Sequence, residues 1–135
     1  MHYTMEIQVE GDLDTVLDAT VDALSEEGFG ILSEIDMGST IEEKLDTSFR
    51  QYRILGACNP PLAHEALGEE IEIGSLLPCN VVAYEADDGS VVVLAADPKA
   101  VLSLSDNEAL EPIAEEVNER VSRALDAVED EFGAA

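Results

Sequence analysis

From Tyr3 to Val9 apolar and polar positions alternate, Tyr3-Thr4-Met5-Glu6-Ile7-Gln8-Val9, the period of a half-buried strand. Gly11 ends it. Asp12 stands where a helix N-cap belongs, and Leu13, Val16, Leu17, Val21 and Leu24 recur at the spacing of one helix face until Gly28. A second strand is predicted over Phe29–Ile35, and Thr40 with Glu43 has the capping-box spacing that opens a short helix through Leu45. Arg50 to Ala57 reads as a third strand running into Cys58-Asn59-Pro60-Pro61. There Asn59 is an N-cap, Pro60 takes the first helical position and Gly68 is the stop. Cys79 opens an apolar strand to Tyr84, and Asp88-Gly89 turns it into another, Ser90 to Ala96, the clearest hairpin in the chain.

Asp97-Pro98 starts a short helix through Leu102. Leu110, Ile113, Ala114, Val117, Val121, Leu125, Val128 and Phe132 then line one face of a long helix, with Glu116–Arg120 and Glu119–Arg123 paired on the other. At 1.5 Å per residue this helix is about 34 Å long, enough to cross a whole sheet. The order β-α-β-α-β-α-β-β-α-α predicts a single α+β domain over residues 1–135 in two layers. Its sheet is mainly antiparallel, with a hairpin at about 79–97 and the helix at about 110–132 packed on one face.

Charge narrows the partners. With 31 Asp and Glu against 6 Lys and Arg, the formal net charge is −25, so phosphate backbones and anionic lipid surfaces would be repelled. No nucleic-acid or membrane partner is expected. At 46% hydrophobic residues the chain still carries enough apolar surface to fold. Asp14, Asp18, Asp22 and Glu26 recur every four residues as one stripe, which costs a few tenths of a kcal/mol per like-charged neighbour in dilute buffer. In molar salt the screening length falls to about 3 Å and that cost vanishes. Only Lys44 and Lys99 are lysines. The composition therefore reads as adaptation to a salt-rich cytoplasm. The amino terminus has neither the basic nor the apolar region of a secretory signal, and no apolar run approaches membrane-spanning length, so a cytoplasmic location is expected.

The coat has one gap. Between Thr47 and Gly68 the only acid is Glu65, against Arg50 and Arg53. Either this stretch is buried in the core or at a subunit interface, or Arg50, Tyr52 or Arg53 faces a pocket for an anionic or polar ligand. Cys58-Asn59-Pro60 lies in the same gap, and Pro78-Cys79-Asn80 is a similar setting at another strand boundary. A cysteine just before a helix amino terminus feels the positive end of the helix dipole, which favours thiolate. Cys58, Cys79 and His64 would suit zinc or copper if the loops converged, although no standard zinc spacing is present. A redox thiol pair and two small buried hydrophobes are the other readings. Gly28-Phe29-Gly30 precedes a strand, so it is not a dinucleotide loop. His64 is the only internal histidine, so no Ser-His-Asp set can be assembled.

Tyr52-Arg53-Ile54-Leu55-Gly56-Ala57-Cys58-Asn59-Pro60, the helix Ala63–Leu67, Ile73-Gly74-Ser75-Leu76-Leu77-Pro78-Cys79-Asn80-Val81 and Asp97-Pro98 together resemble the domain of unknown function 302 family. The resemblance spans nearly the whole chain. It implies a small two-layer α+β domain with no assigned activity, and it places both cysteines in recurring motifs. The expectation is a small protein that takes a ligand, a soft metal or a redox role through Cys58 and Cys79, with Asn59, Pro60, Asn80, Tyr52 and Arg53 around them. The other expectation is a non-catalytic homodimer whose interface is the Thr47–Gly68 stretch.

The electrostatics yield a test. Lowering salt below ~0.1 M, where the screening length exceeds about 10 Å, is expected to lower the melting temperature through carboxylate repulsion. Calorimetry between low and molar salt checks this, and an unchanged melting temperature contradicts the salt-adapted reading.

Overall fold

The computed structural model describes residues 2–135. Its elements are β1 (Thr4–Val9), α1 (Leu13–Glu26), β2 (Gly30–Asp36), α2 (Met37–Leu45), β3 (Tyr52–Cys58), α3 (Pro60–Glu69), β4 (Cys79–Glu85), β5 (Val91–Ala96), α4 (Pro98–Leu102) and α5 (Glu111–Phe132). A 3-10 turn over Ile71–Leu76 joins α3 to β4. The strands form one sheet in the order β1-β5-β4-β3-β2 with every neighbour antiparallel. This is the α+β domain expected from the periodicities.

Strand alternation assigns the two faces. Ile7, Val9, Leu55, Ala57, Val81, Ala83, Val91, Val93 and Ala95 point inward and join one buried core with Leu13, Val16, Leu17 and Leu24 of α1 and Val121, Leu125 and Val128 of α5. Both long helices therefore lie on the same face, packed against each other as well as the sheet. A smaller core of Ala66, Ile73, Leu102, Leu110, Ile113 and Ala114 sits beside it, under α3 and α4, and Val117 of α5 touches both. The acidic stripe Asp14, Asp18, Asp22 and Glu26 is exposed on the far side of α1.

The caps form as the sequence implies at Asp12, Asn59 and Asp97, whose side chains accept from the backbone N–H of Thr15, Leu62 and Lys99. The second helix differs. It begins three residues before Thr40 because Asp36 caps it through Ser39 N–H, and the Thr40 hydroxyl donates to the Asp36 carbonyl instead of capping. Of the two ion pairs expected on α5, Arg120–Glu116 forms at 3.1 Å, whereas Arg123 leaves Glu119 for Glu27 at 2.9 Å across the helix interface. Gly38 is required by packing: a Cβ there would meet the Arg50 carbonyl oxygen at 2.6 Å, where α2 presses on the approach to β3. Among the described residues, no helix is long and apolar enough to cross a membrane.

Candidate functional site

The junction between β3 and α3 is built around Asn59. Pro60 at the start of α3 presets the helical φ and lacks an N–H that would otherwise be orphaned, and Asn59 Oδ1 accepts from Leu62 N–H at 3.3 Å. The Asn59 amide also donates to the Glu27 carbonyl at 3.3 Å. That same carbonyl accepts from Arg120 of α5 at 2.9 Å, so one oxygen just past α1 ties α3 and α5 together. Gly28 follows with φ +87°, and a Cβ there would meet the Asn59 side-chain nitrogen at 2.9 Å. Glycine is demanded twice, by the left-handed backbone and by the amide lying against it.

A cavity of about 320 Å³ opens between this junction, the 3-10 turn, α4 and α5. It lies on the seam of the two cores: Phe29 and Ala57 of the larger one and Ala66, Leu102 and Ile113 of the smaller one are in its wall. It exists because Ala57, Ala63, Ala66, Ala96 and Cys79 converge there, all too small to fill the gap between strand ends and helices. None of the described residues that line it is charged, in a chain with 37 charged side chains (31 acidic plus 6 basic). The polar residues among those lining it are Asn59, Ser75 and Asn80, and the Asn59 side chain is already engaged.

Cys58, Asn59, Cys79 and Asn80 all border this cavity, but the two cysteines do not form a pair. Cys79 stands opposite Ala57 in the β3–β4 register, and Cys58 stands opposite Gly30, so pleat alternation turns the two side chains to opposite faces of the sheet. The expected convergence of thiols is corrected by this one-residue offset. His64 is exposed on α3, and among the described residues no three His, Cys, Asp or Glu side chains are grouped to hold a metal, so the Cys58, Cys79 and His64 set is not assembled. Tyr52 and Arg53 are also separated from the cysteines. They occupy the far end of β3, about 17 and 20 Å from Cys58 for Arg53 and Tyr52 at 3.3 Å per residue, and neither borders the cavity. The Arg53 guanidinium is taken by Asp14, Glu34 and Asp36 at 3.1–3.4 Å, and Arg50 pairs with Asp87 at 2.8 Å. The gap in the acidic coat thus has three causes: the buried centre of β3, the cavity wall, and two arginines that consume neighbouring acids.

Cys79 is a partly buried wall residue whose thiol is held in its neutral form. Desolvation pushes its thiol from 9.0 up to about 11, and its nearest polar neighbours are the carbonyls of Asn80 and Ala96 at 4.0 and 3.9 Å, which cannot stabilise a thiolate. Ala63, Ala66, Leu102, Ile113 and Val117 also line the cavity without announcing it in the sequence, because each looks like an ordinary helix-core position. The legible signal was the run of small residues at strand ends, Ala57, Cys79 and Ala96, each next to or close to a proline-started helix or a prolyl turn.

Since the thiolate fraction falls tenfold per unit, Cys79 at pH 8 should react with iodoacetamide about 100-fold more slowly than an ordinary cysteine, and at the ordinary rate once the chain is unfolded. Peptide mapping by mass spectrometry after timed labelling checks this. Equal rates folded and unfolded would contradict the desolvation of this thiol.

Similarity to known proteins agrees with this architecture. A crystal structure of an uncharacterized conserved DUF302 protein from Bacillus stearothermophilus superposes with a TM-score of 0.89 at 25% identity, covering 95% of this chain and 99% of that one. No curated protein matches the chain. The model of the domain of unknown function DUF302 matches residues 5–128, from β1 to the last buried turn of α5. The chain belongs to the DUF302 family.

Proposed function

We propose that the protein is a binding module for a small, neutral, predominantly apolar molecule, held in the cavity between α3, α4 and α5. The carrying observation is an uncharged cavity in a chain of net charge −25. At about 320 Å³ it is at the small end of ligand pockets, which run from roughly 300 to 1,000 Å³. Its interior offers dispersion contacts from Phe29, Leu102, Ile113 and Val117, with Ser75 and Asn80 at the rim as polar groups that could orient a hydroxyl or carbonyl. An anion finds no cation there, and the surrounding carboxylates repel it. The neutral Cys79 thiol belongs to the apolar wall and needs no redox partner to do so.

The exposed acidic stripe supports the further reading that this module works in a salt-rich solvent, where apolar burial in the cavity is not weakened.

The test is isothermal titration with 1-octanol and, in parallel, octanoate. Octanol should bind saturably at one site per chain and octanoate at least tenfold more weakly. Ala63→Phe, at a partly exposed wall position of α3, should abolish octanol binding while leaving the fold intact. Absence of saturable octanol binding, or unchanged affinity in folded Ala63→Phe, contradicts the proposal.

A further inference from the structure

The face of the sheet opposite α1 and α5 has no long helix over it. Strand register places its side chains in rows: Gln8, Val92, Tyr84 and Tyr52 in one, then Glu6, Leu94, Val82, Ile54 and Ile35 in the next. None of the apolar members of these rows belongs to either hydrophobic core. Val82 and Val92 are shielded by their neighbours, whereas Leu94, Ile54 and both tyrosines are partly exposed and Ile35 is 45% exposed. Tyr52 stacks on Tyr84 with centroids 5.5 Å apart, and Phe49, 42% exposed, extends the aromatic edge. Antiparallel sheets with one solvated face normally carry polar residues there. This one is almost uncharged: of the outward positions on all five strands only Glu6, on the edge strand β1, is charged, and Thr4, Gln8, Ser33 and Asn80 are the neutral polar ones.

We infer that this open sheet face is a docking surface for a second copy of the same chain. Charge selects the occupant. A basic partner would settle on the carboxylate-coated surfaces, and an anionic membrane would be repelled by the acidic rim, but a neutral apolar face suits another neutral apolar face. Two copies bring one such face each, and on it chains of net charge −25 can meet with only Glu6 among the outward strand positions charged. A two-fold axis makes such a face complementary to itself, and sheets pack face to face about 10 Å apart with side chains interdigitating. Five strands at about 4.8 Å and six residues at about 3.3 Å give a face of roughly 24 by 20 Å, or ~1,000 Å² across two copies, which meets the threshold for a specific interface. The Thr47–Gly68 stretch contributes through the outward side chains of β3, not through a free strand edge, because β3 is paired on both sides.

Sedimentation velocity in ~1 M potassium chloride, where the screening length is about 3 Å, tests this directly. The wild-type chain should sediment at twice its 14.5 kDa mass, and Leu94→Glu, with unchanged circular dichroism, at the monomer mass. If Leu94→Glu does not fold, Ile35→Glu, at a position already 45% exposed, provides the same comparison. A wild-type monomer at high protein concentration, or a dimer that persists in a folded Glu variant, overturns the inference. Ala63→Phe should remain dimeric, which separates this surface from the cavity.

Discussion

The carbonyl of Glu27 organises this small fold more than any other single group. It lies just past α1 and receives N–H groups from Asn59, at the start of α3, and from Arg120, in the middle of α5. Each bond to a neutral donor contributes about 1 kcal/mol net and one to a charged donor somewhat more, but the geometry matters beyond the sum. Asn59 spends its other side-chain atom on capping α3. The position of α3 relative to α5 is therefore tied to the end of α1, and the cavity is the space left between them. A second clamp, Arg123 to Glu27 at 2.9 Å, holds the same corner from the next turn of α5.

Small side chains and a rigid frame act together here. Were α3 free to shift, Ala57, Ala63 and Ala66 would let the helix collapse onto the sheet end, as apolar surfaces do when nothing restrains them. The Asn59 and Pro60 junction restrains it on one side. On the other, Pro78 sits so close to Gly56 that a Cβ at Gly56 would meet its ring at 2.9 Å, fixing the chain just before Cys79. The two motifs that stand out in the sequence, Cys58-Asn59-Pro60 and Pro78-Cys79-Asn80, are thus the two anchors of the cavity, through their asparagine and proline more than through their cysteines.

The elements were legible because their signals are local. Alternation in β1, the helical spacing of α1 and α5, and the caps Asp12, Asn59 and Asp97 all act within a few residues, and each appears where its pattern stands. What could not be read was register. Whether Cys79 faces Ala57 or Cys58 depends on a one-residue offset between two strands about twenty residues apart, and that offset decides between a thiol pair and two separate walls. Arg53 was misread for a related reason. Its three carboxylate partners come from α1 and β2, up to 39 residues away, so a stretch that looks cationic in sequence is neutralised in space. The 3-10 turn over Ile71–Leu76 carries no periodicity to announce it, yet its buried Ile73 seals the smaller core.

Binding of an apolar ligand requires that the cavity be dry and apolar while the frame around it stays fixed. Xenon distinguishes these cases, because it enters apolar voids and not sites filled by hydrogen-bonded water. A crystal of the protein under xenon pressure should show the atom in the cavity, against Ala66, Leu102 and Ile113. Ordered water bridging Ser75 and Asn80 across that space, with xenon absent, would contradict it.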